Sequence, residues 1–384
     1  MTHESPPEAL AGGRLTVDLA ALVANWRAIA AHVAAPAETS AVVKADGYGL
    51  GIAEVGAALF AAGCRTFFVA LPDEGRRLRA VGPDAAIYVL AGLLPGAAHA
   101  MAAADLRPVL NSMPEIEEWA NAKRAGVPTG SAIHIDTGMN RLGLSLAEAH
   151  ALAARRDLVA AAAPSLVMSH LVISEAPADG LNAAQVARFR DVRAAFAPVP
   201  ASLANTAGIF LGPSYHFDLV RPGIGIYGAT PGPGVPVPMR VVVTAEARVL
   251  MVRNAGPGET VGYGATRRLM RPSRIAILSA GYADGYHRRT AATGAGDGPA
   301  VHVRGRRAPL LGRVSMDLLA VDVTDIPDAA RGDWAELFGP NIPVDEVAAF
   351  SGTVGYELLT GLGQRYARRY VGRSRSAVGW GNRP

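Results

Sequence analysis

The chain has 384 residues, of which 50% are hydrophobic and 18% are charged, and its formal net charge is +4. This length is typical of two domains, and the composition excludes a disordered chain. The longest apolar run, near residues 158–173, is interrupted by Pro164 and His170, which excludes a membrane span. Positive charge gathers in residues 365–384, but aromatic residues are few there and no nucleic-acid module precedes them. We therefore expect neither nucleic acid nor a membrane as a partner, and a solvated or interface-forming tail.

The N-terminal segment and the cysteine content point to the cytoplasm. Residues 1–10 are polar and acidic and lack the apolar centre of a secretory signal. Cys64 is the only cysteine, which excludes an intramolecular disulfide and a cysteine-cluster metal site. We therefore expect a cytoplasmic protein without a metal centre.

The first 230 residues alternate between strand-like and helix-like segments. Behind Asp18, a predicted N-cap, apolar residues repeat at helical spacing as far as Val33. Buried-strand runs then recur at residues 40–44, 66–70, 86–90, 107–110, 131–136, 166–170, 201–205 and 219–226. Eight such repeats predict an α/β fold with an N-terminal (β/α)8 TIM-type barrel. An open doubly wound sheet is the alternative, but the turn after the first strand lacks the Gly-x-Gly-x-x-Gly pattern typical of that fold.

The pattern changes after Gly228. Residues 230–238 form a linker rich in proline and glycine. Short alternating runs, separated by glycine and proline, follow at residues 241–247, 274–278, 300–303 and 318–323. These runs predict a C-terminal mostly β domain. We therefore place the barrel at residues 1–238 and the β domain at residues 239–384.

Lysine usage singles out one candidate catalytic residue. The chain contains 35 arginines but only two lysines, Lys44 and Lys123. Lys44 closes the first predicted barrel strand, and the reactive groups of parallel barrels lie where strands end. Lysine, unlike arginine, forms Schiff bases and releases its proton readily. We interpret Lys44 as a Schiff-base residue rather than an ordinary strand-end lysine, and Lys123 as a surface residue.

Six segments, in order along the chain, resemble segments of the alanine racemase family. They are residues 41–51 (AVVKADGYGLG), 134–143 (HIDTGMNRLG), 219–228 (LVRPGIGIYG), 261–266 (VGYGAT), 281–285 (GYADG) and 312–317 (GRVSMD). The resemblance implies pyridoxal 5'-phosphate as cofactor, alanine as substrate and a product, D-alanine, used for peptidoglycan. It also implies a head-to-tail homodimer, in which the C-terminal domain of each subunit contributes to the active site of its partner.

The resemblance also implies the roles of individual residues. Lys44 would hold the cofactor and act as the base on one face of the substrate, and Tyr263 would act on the opposite face from the partner subunit. Two faces are needed because the proton leaves one side of Cα and returns on the other. The other implied site residues bind the cofactor (Tyr48, His170, Thr206, Arg221, Gly223, Ile224 and Tyr356) or the substrate (Arg141, Met316 and Tyr282).

One matching residue bears on the type of reaction, and two places in the chain depart from the family pattern. Arg221 is implied to bind the pyridine nitrogen and to keep it unprotonated, which disfavours transamination and decarboxylation. His134 stands where many family members carry a lysine, often carbamylated, seven residues before Arg141. Arg267 and Arg268 stand where many members carry an aromatic residue.

Other functions are compatible with parts of the same sequence pattern. A broad or serine-preferring racemase would share the fold, and a pocket narrowed by Met316 and Tyr282 discriminates by only about 1–3 kcal/mol per methylene. A decarboxylase of the same barrel type is disfavoured by Tyr263 and Arg221. A pyridoxal-phosphate carrier, usually a lone barrel, is disfavoured by the long segment after Pro238.

Overall fold

The structure is a computed structural model that describes residues 6–232, 235, 237–291 and 298–372. Parts of the predicted linker and most of the basic tail lie outside the described residues. The strands are β1 (Gly13–Asp18), β2 (Glu38–Thr39), β3 (Ala41–Val42), β4 (Thr66–Val69), β5 (Ala86–Val89), β6 (Arg107–Leu110), β7 (Ser131–His134), β8 (Pro164–Met168), β9 (Ala201–Ser202), β10 (Leu219–Val220), β11 (Val243–Ala255), β12 (Thr260–Val261), β13 (Arg267–Arg268), β14 (Ser273–Leu278), β15 (Ala300–Val303), β16 (Arg306–Pro309), β17 (Leu319–Asp322), β18 (Trp334–Phe338) and β19 (Tyr366–Val371).

The helices alternate with the strands in the first part of the chain. They are α1 (Leu19–Ala30), α2 (Lys44–Tyr48), α3 (Ile52–Ala61), α4 (Pro72–Arg79), α5 (Ala98–Ala103), α6 (Met113–Arg124), α7 (Leu146–Ala154), α8 (Arg156–Ala162), α9 (Gly180–Ala194), α10 (Thr206–Ile209), α11 (Val344–Ser351) and α12 (Gly355–Thr360). The predicted N-cap of the first helix is confirmed, because Asp18 Oδ1 accepts a hydrogen bond from Ala21 N at 2.9 Å.

The described residues divide into two compact units, which we call the barrel unit and the β unit. The barrel unit contains residues 22–226 with the described residues of 230–239. Its parallel sheet runs in the order β3-β4-β5-β6-β7-β8-β9. The strands are short apolar runs buried along most of their length, as in Phe67, Phe68 and Val69 of β4. Such runs are typical of parallel strands that are covered on both faces.

Strand β10 closes the ring of the barrel. On one side it pairs in parallel with β2, which continues beyond Ser40 into β3. On the other side Arg221 N donates to Ala204 O at 2.9 Å, so the chain following β10 is tied to the chain following β9. The predicted (β/α)8 barrel is therefore confirmed. The run predicted at 219–226 ends as a strand at Val220, because Pro222 has no N–H to donate and a 3₁₀ turn follows.

The β unit contains residues up to Ala21, Tyr227–Ala229 and the described residues from Arg240 onward. Its main sheet runs in the order β16-β15-β18-β11-β1-β19, and β14 pairs with both β11 and β17. Buried and partly exposed residues alternate along β11 as far as Val249, which is the period of a strand with one face in a core. The predicted C-terminal mostly β domain is confirmed.

Strand β1 corrects the predicted extent of the first domain. We counted residues 1–238 with the barrel, but β1 lies in the sheet of the β unit, antiparallel to β11 and parallel to β19. Leu15 and Val17 alternate with polar neighbours and are fully buried in this unit. The N-terminal strand therefore pairs with residues more than two hundred positions away, which local sequence patterns do not reveal.

None of the helices in the described part of the chain combines the length and the apolar character that crossing a bilayer requires.

An ion pair between β1 and β11 gives a test of this arrangement. Arg14 and Glu246 face each other in register, with Arg14 Nη2 2.8 Å from Glu246 Oε1, and both side chains are largely buried. We expect Arg14→Met to lower the free energy of unfolding by about 1.5–3 kcal/mol, because it leaves the Glu246 carboxylate without its charged partner. Urea titration measures this change.

The matched control is Arg76→Met, which removes an ion pair between two exposed side chains, Arg76 and Asp73. Exposed pairs contribute little, so the urea midpoint is expected to stay unchanged. Equal losses for both variants would contradict the placement of β1 in the β unit.

Candidate active site

Lys44 lies at the carboxyl edge of the barrel and begins an unusual turn. Strand β3 ends at Val42, and α2 begins at Lys44. Ala45, Asp46 and Tyr48 have φ angles of 52°, 56° and 55°, so the turn after Lys44 is left-handed. A residue with a Cβ pays roughly 1–2 kcal/mol for this conformation. The lysine is therefore presented by a strained backbone segment that other contacts must hold in place.

Two carboxylates and one guanidinium hold this turn. Asp46 Oδ1 accepts hydrogen bonds from Ile52 N at 3.1 Å and from Arg77 Nη2 at 2.7 Å. Glu74 Oε1 accepts a hydrogen bond from Asp46 N at 3.3 Å. Both Glu74 and Arg77 belong to α4, so the helix that follows the next strand positions the lysine turn.

The surroundings of Lys44 favour its uncharged form. Burial lowers the pKa of the Lys44 amine, and the positive charge of Arg141 lowers it further. The carboxylate of Glu74 acts in the opposite direction and raises this pKa. The net effect is a downward shift, so the free amine is present at lower pH than for an ordinary lysine.

Arg221 is a buried guanidinium held by neutral oxygen atoms. It follows β10, and its Nη2 donates to Ser169 O at 2.5 Å and to Leu203 O at 3.2 Å. Its Nη1 donates to Ser202 Oγ. Burial lowers the pKa of Arg221 to about 9. At neutral pH the group stays mostly charged. The three oxygen atoms that accept its hydrogen bonds here belong to two carbonyl groups and one hydroxyl group, and none belongs to a carboxylate.

His170 lies beside Arg221 in its neutral form. Burial, followed by the positive charges of Arg221 and Arg141, lowers the pKa of His170 well below its ordinary value. Arg221 Nη2 lies 3.4 Å from His170 Nδ1. A guanidinium only donates, so Nδ1 accepts and the ring proton is assigned to Nε2.

Gly223, Thr206 and Tyr48 form a small polar cradle after β10. Gly223 N donates to Thr206 Oγ1 at 2.8 Å. A Cβ at Gly223 would lie only 2.4 Å from Tyr48 Oη, so only glycine fits beside this hydroxyl. Thr206 begins α10, and Ile224 follows the glycine into a buried 3₁₀ turn. Two of the three predicted hydroxyl groups, those of Thr206 and Tyr48, therefore converge on the predicted glycine.

Arg141 lies in a loop whose backbone is organised by Asp136. The Asp136 carboxylate accepts hydrogen bonds from Gly138 N at 2.7 Å, Met139 N at 2.7 Å and Asn140 N at 2.6 Å. The base of the loop is closed by Asp136 N, which donates to the carbonyl of residue 144 at 2.8 Å. The Arg141 side chain is exposed at the end of this turn.

His134, one of the departures from the family pattern, is buried at the end of β7. Its Nδ1 lies 2.8 Å from Asn111 Oδ1, and Asn111 Nδ2 donates to Val109 O at 2.7 Å. This orientation of the amide assigns the proton to His134 Nδ1. Burial and the charges of Arg221 and Arg141 lower the pKa of His134 to about 4, so it is neutral at pH 7.

In the β unit, Tyr282 and Met316 lie on two adjoining backbone segments. Tyr282 N donates to Ser315 O and Ala283 N donates to Met316 O, each at 3.0 Å. Gly281 permits this contact, because a Cβ there would lie 2.3 Å from the carbonyl oxygens of Ser315 and Met316. Tyr282 is 41% exposed and Met316 is 52% exposed.

Tyr263 lies in a hairpin that contacts residue 312, at the start of the segment that carries Met316. It begins a 3₁₀ turn between β12 and β13 and is 71% exposed. At Gly312, a Cβ would approach Val261 O to 2.6 Å, so residues 312–316 contact both the Tyr263 hairpin and the Tyr282 turn. Tyr356 lies on α12, outside these segments, and is half-exposed.

The structure adds residues that sequence reasoning missed. Ser202 contacts Arg221, and Asn111 contacts His134. Glu74 supports the turn after Lys44. Gln185, on α9, contacts the loops after β7 and β8. Of these residues, only Gln185 could have been found from the sequence, because it is a polar residue at an inward-facing position of a helix. Nothing in the sequence around the others distinguishes them from ordinary polar residues.

The electrostatics of Lys44 predict opposite effects of two substitutions. In the cofactor-free protein, Glu74→Gln should move the pH midpoint for acetylation of Lys44 downward, because a charge that stabilises the ammonium is lost. Arg141→Met should move it upward, because a repelling charge is lost. Peptide mass spectrometry after brief acetic anhydride treatment measures both midpoints, with Nα-acetyl-lysine amide as the reference. Shifts of the same sign would contradict this account.

Comparisons with known proteins agree along most of the chain. Two family descriptions match it: "Alanine racemase, N-terminal domain" over residues 17–231 and "Alanine racemase, C-terminal domain" over residues 242–370. The alanine racemase of Methylobacterium sp. (strain 4-46) is 52% identical and aligns over 97% of this chain and 100% of that protein. The alanine racemase of Rhizobium meliloti is 48% identical, over 96% of this chain and 99% of that protein.

A solved structure gives the same result. The crystal structure of alanine racemase from Bartonella henselae with covalently bound pyridoxal phosphate has a TM-score of 0.88 to this chain at 41% sequence identity. The comparison covers 94% of this chain and 100% of that one. Identity of this level over both units confirms the resemblance found in the motifs: the chain belongs to the alanine racemase family.

Proposed function

We propose that the protein interconverts L-alanine and D-alanine with pyridoxal 5'-phosphate as its cofactor. The observation that carries the proposal is Lys44, an amine at the barrel edge with a lowered pKa beside the charge of Arg141. An amine that loses its proton easily suits Schiff-base chemistry, and guanidinium groups suit carboxylate and phosphate ligands. Membership of the alanine racemase family supports the same reaction.

The barrel residues fit this cofactor. The hydroxyls of Tyr48 and Thr206 converge on Gly223, where an added Cβ would fill the space, and we propose that this cradle holds the phosphate. The N–H of Ile224 is proposed to complete it, and Tyr356, on the β unit, stays a predicted cofactor-binding residue. When bound, pyridoxal phosphate draws electrons away from the Cα–H bond of an amino acid. The chain supplies binding, orientation and proton transfer.

Arg221 is proposed to control the fate of the substrate after the Cα proton is removed. Its guanidinium, charged at neutral pH, would donate to the pyridine nitrogen of the bound cofactor and keep that nitrogen unprotonated. This contact would limit the electron demand of the cofactor and favour return of the proton over decarboxylation. Neutral His170 accepts from Arg221 and orients it.

Lys44 and Tyr263 are proposed to be the two proton carriers. The Lys44 amine holds the Cα proton on one face of the substrate, and the Tyr263 phenol serves the opposite face from the partner subunit. The exposure of Tyr263, Tyr282 and Met316 on the β unit supports a head-to-tail homodimer, because a second copy would cover them.

Substrate choice is proposed to rest on three residues. Arg141 binds the carboxylate, since its guanidinium is exposed at the end of an ordered loop. Met316 and Tyr282 of the partner limit the side chain to about the size of a methyl group. The product D-alanine would supply peptidoglycan synthesis, and the cytoplasmic location stays a prediction.

Incubation with L-alanine in deuterated water tests the proposed reaction. We expect the Cα proton signal to disappear while the optical rotation decays to zero, because a deuteron from the solvent replaces each Cα proton removed and can add to either face. Lys44→Arg should slow this exchange by about 100-fold or more, since a guanidinium neither forms the imine nor accepts the proton. Lys123→Arg, which removes the only other lysine, is the matched control and should leave the rate unchanged.

Other results would point to other functions. A bound-cofactor absorbance without Cα exchange of alanine or serine would contradict the proposal and favour a carrier protein. Faster exchange with L-serine than with L-alanine would favour a serine-preferring racemase.

Substitution of the second base should affect the two enantiomers unequally. Tyr263→Phe is expected to spare cofactor binding but to slow Cα proton exchange from one enantiomer by about 100-fold or more, and from the other far less. Proton loss from each pure enantiomer, followed by nuclear magnetic resonance in deuterated water, measures the difference. Equal slowing of both directions would contradict the two-base assignment.

Mixing the two variants tests whether the subunits share sites. A mixed dimer of Lys44→Arg and Tyr263→Phe chains holds one site with both natural residues only if the tyrosine comes from the partner. Recovery of exchange on mixing is therefore expected, and its absence would contradict the shared site.

A further inference from the structure

Gln185 uses its buried amide to join two loops of the barrel. It is fully buried on α9, and its Nε2 donates to Thr137 Oγ1 at 3.1 Å and to His170 O at 3.0 Å. Its Oε1 accepts from Val172 N at 2.9 Å, which fixes the orientation of the amide. Thr137 belongs to the loop after β7, whereas His170 and Val172 belong to the loop after β8.

On the first side, the contact leads to Arg141. Thr137 Oγ1 is also 2.8 Å from Ser169 Oγ, and Arg188 Nη1 donates to Thr137 O at 2.9 Å. The turn between Thr137 and Arg141 is held by the Asp136 carboxylate through three short hydrogen bonds. The path from Gln185 to Arg141 is therefore a short stretch of fixed backbone.

On the second side, the contact leads to Arg221. His170, whose carbonyl accepts from Gln185, places its Nδ1 3.4 Å from Arg221 Nη2. The neighbouring carbonyl of Ser169 accepts from the same guanidinium nitrogen. Gln185 thus contacts both the backbone that holds Arg221 and the loop that carries Arg141.

We propose that Gln185 is a positioning residue that sets the place of Arg141 relative to the His170–Arg221 pair. The inference rests on the proposed function, in which Arg141 binds the substrate carboxylate and Arg221 binds the cofactor ring. In alanine a single bond joins the carboxylate to Cα. A displaced Arg141 therefore moves Cα away from the Lys44 amine and weakens carboxylate binding.

Asn182 provides a matched control on the same helix. It is also buried, and its Nδ2 donates to Ile173 O at 3.3 Å and to Ala176 O at 3.0 Å. These bonds reach only the loop after β8, and none reaches the Arg141 loop. A loss of stability from a missing buried amide is common to both residues, but a shift of Arg141 belongs to Gln185 alone.

The experiment compares Gln185→Met with Asn182→Leu in the full-length holoprotein. Gln185→Met is expected to raise the KM for L-alanine about tenfold, with a smaller change in kcat and an unchanged absorbance of the bound cofactor. It should raise the Kd for propionate, the carbon skeleton of alanine without its amine, by a similar factor in calorimetric titration. Asn182→Leu should lower the thermal unfolding temperature but leave KM and Kd unchanged.

A double substitution sharpens the result. Thr137→Val removes the acceptor of one Gln185 bond, so its effect on the propionate Kd should be less than additive with that of Gln185→Met. Equal effects of Gln185→Met and Asn182→Leu on KM and Kd would overturn the positioning role. The propionate measurement does not need turnover: a protein that binds propionate without exchanging alanine would refute the proposed function while still deciding the role of Gln185.

Discussion

Burial of positive charge is the constraint on which the barrel site depends. The Arg221 guanidinium is held by Ser202 Oγ and by the carbonyls of Ser169 and Leu203, none of which carries a charge. Burial and the positive charge of Arg221 keep His170 neutral, while burial and the positive charge of Arg141 lower the pKa of Lys44. A site with this surplus of positive charge favours ligands that bring phosphate and carboxylate groups.

The loops that carry these groups are fixed by polar side chains rather than by apolar packing alone. The left-handed turn after Lys44 is held by Asp46 and by Glu74 of α4. The Arg141 loop is held by Asp136, and Gln185 ties it to the next loop. These buried or partly buried hydrogen bonds hold the backbone in conformations that unsupported loops would not keep.

The β unit presents a different arrangement, in which the proposed groups face outward. Tyr263, Tyr282 and Met316 are exposed around the single segment 312–316, so their mutual positions are determined within this unit. The long-range pairing of β1 adds the N-terminus to the same sheet. In the proposed dimer, these exposed side chains would meet the barrel residues of the partner.

Local patterns in the sequence were enough to predict the eight barrel strands, the mostly β second unit and the family, because strand periodicity and motif residues are local properties of the chain. Lys44 stood out through lysine usage, and its neighbours through motifs. Tertiary structure alone decided that β1 joins the β unit, since its partners lie more than two hundred residues away. Tertiary structure also decided that His170 and His134 are neutral and that Ser202 and Gln185 support the site. The reason is that burial, the fields of nearby charges and buried hydrogen bonds arise only when distant segments meet.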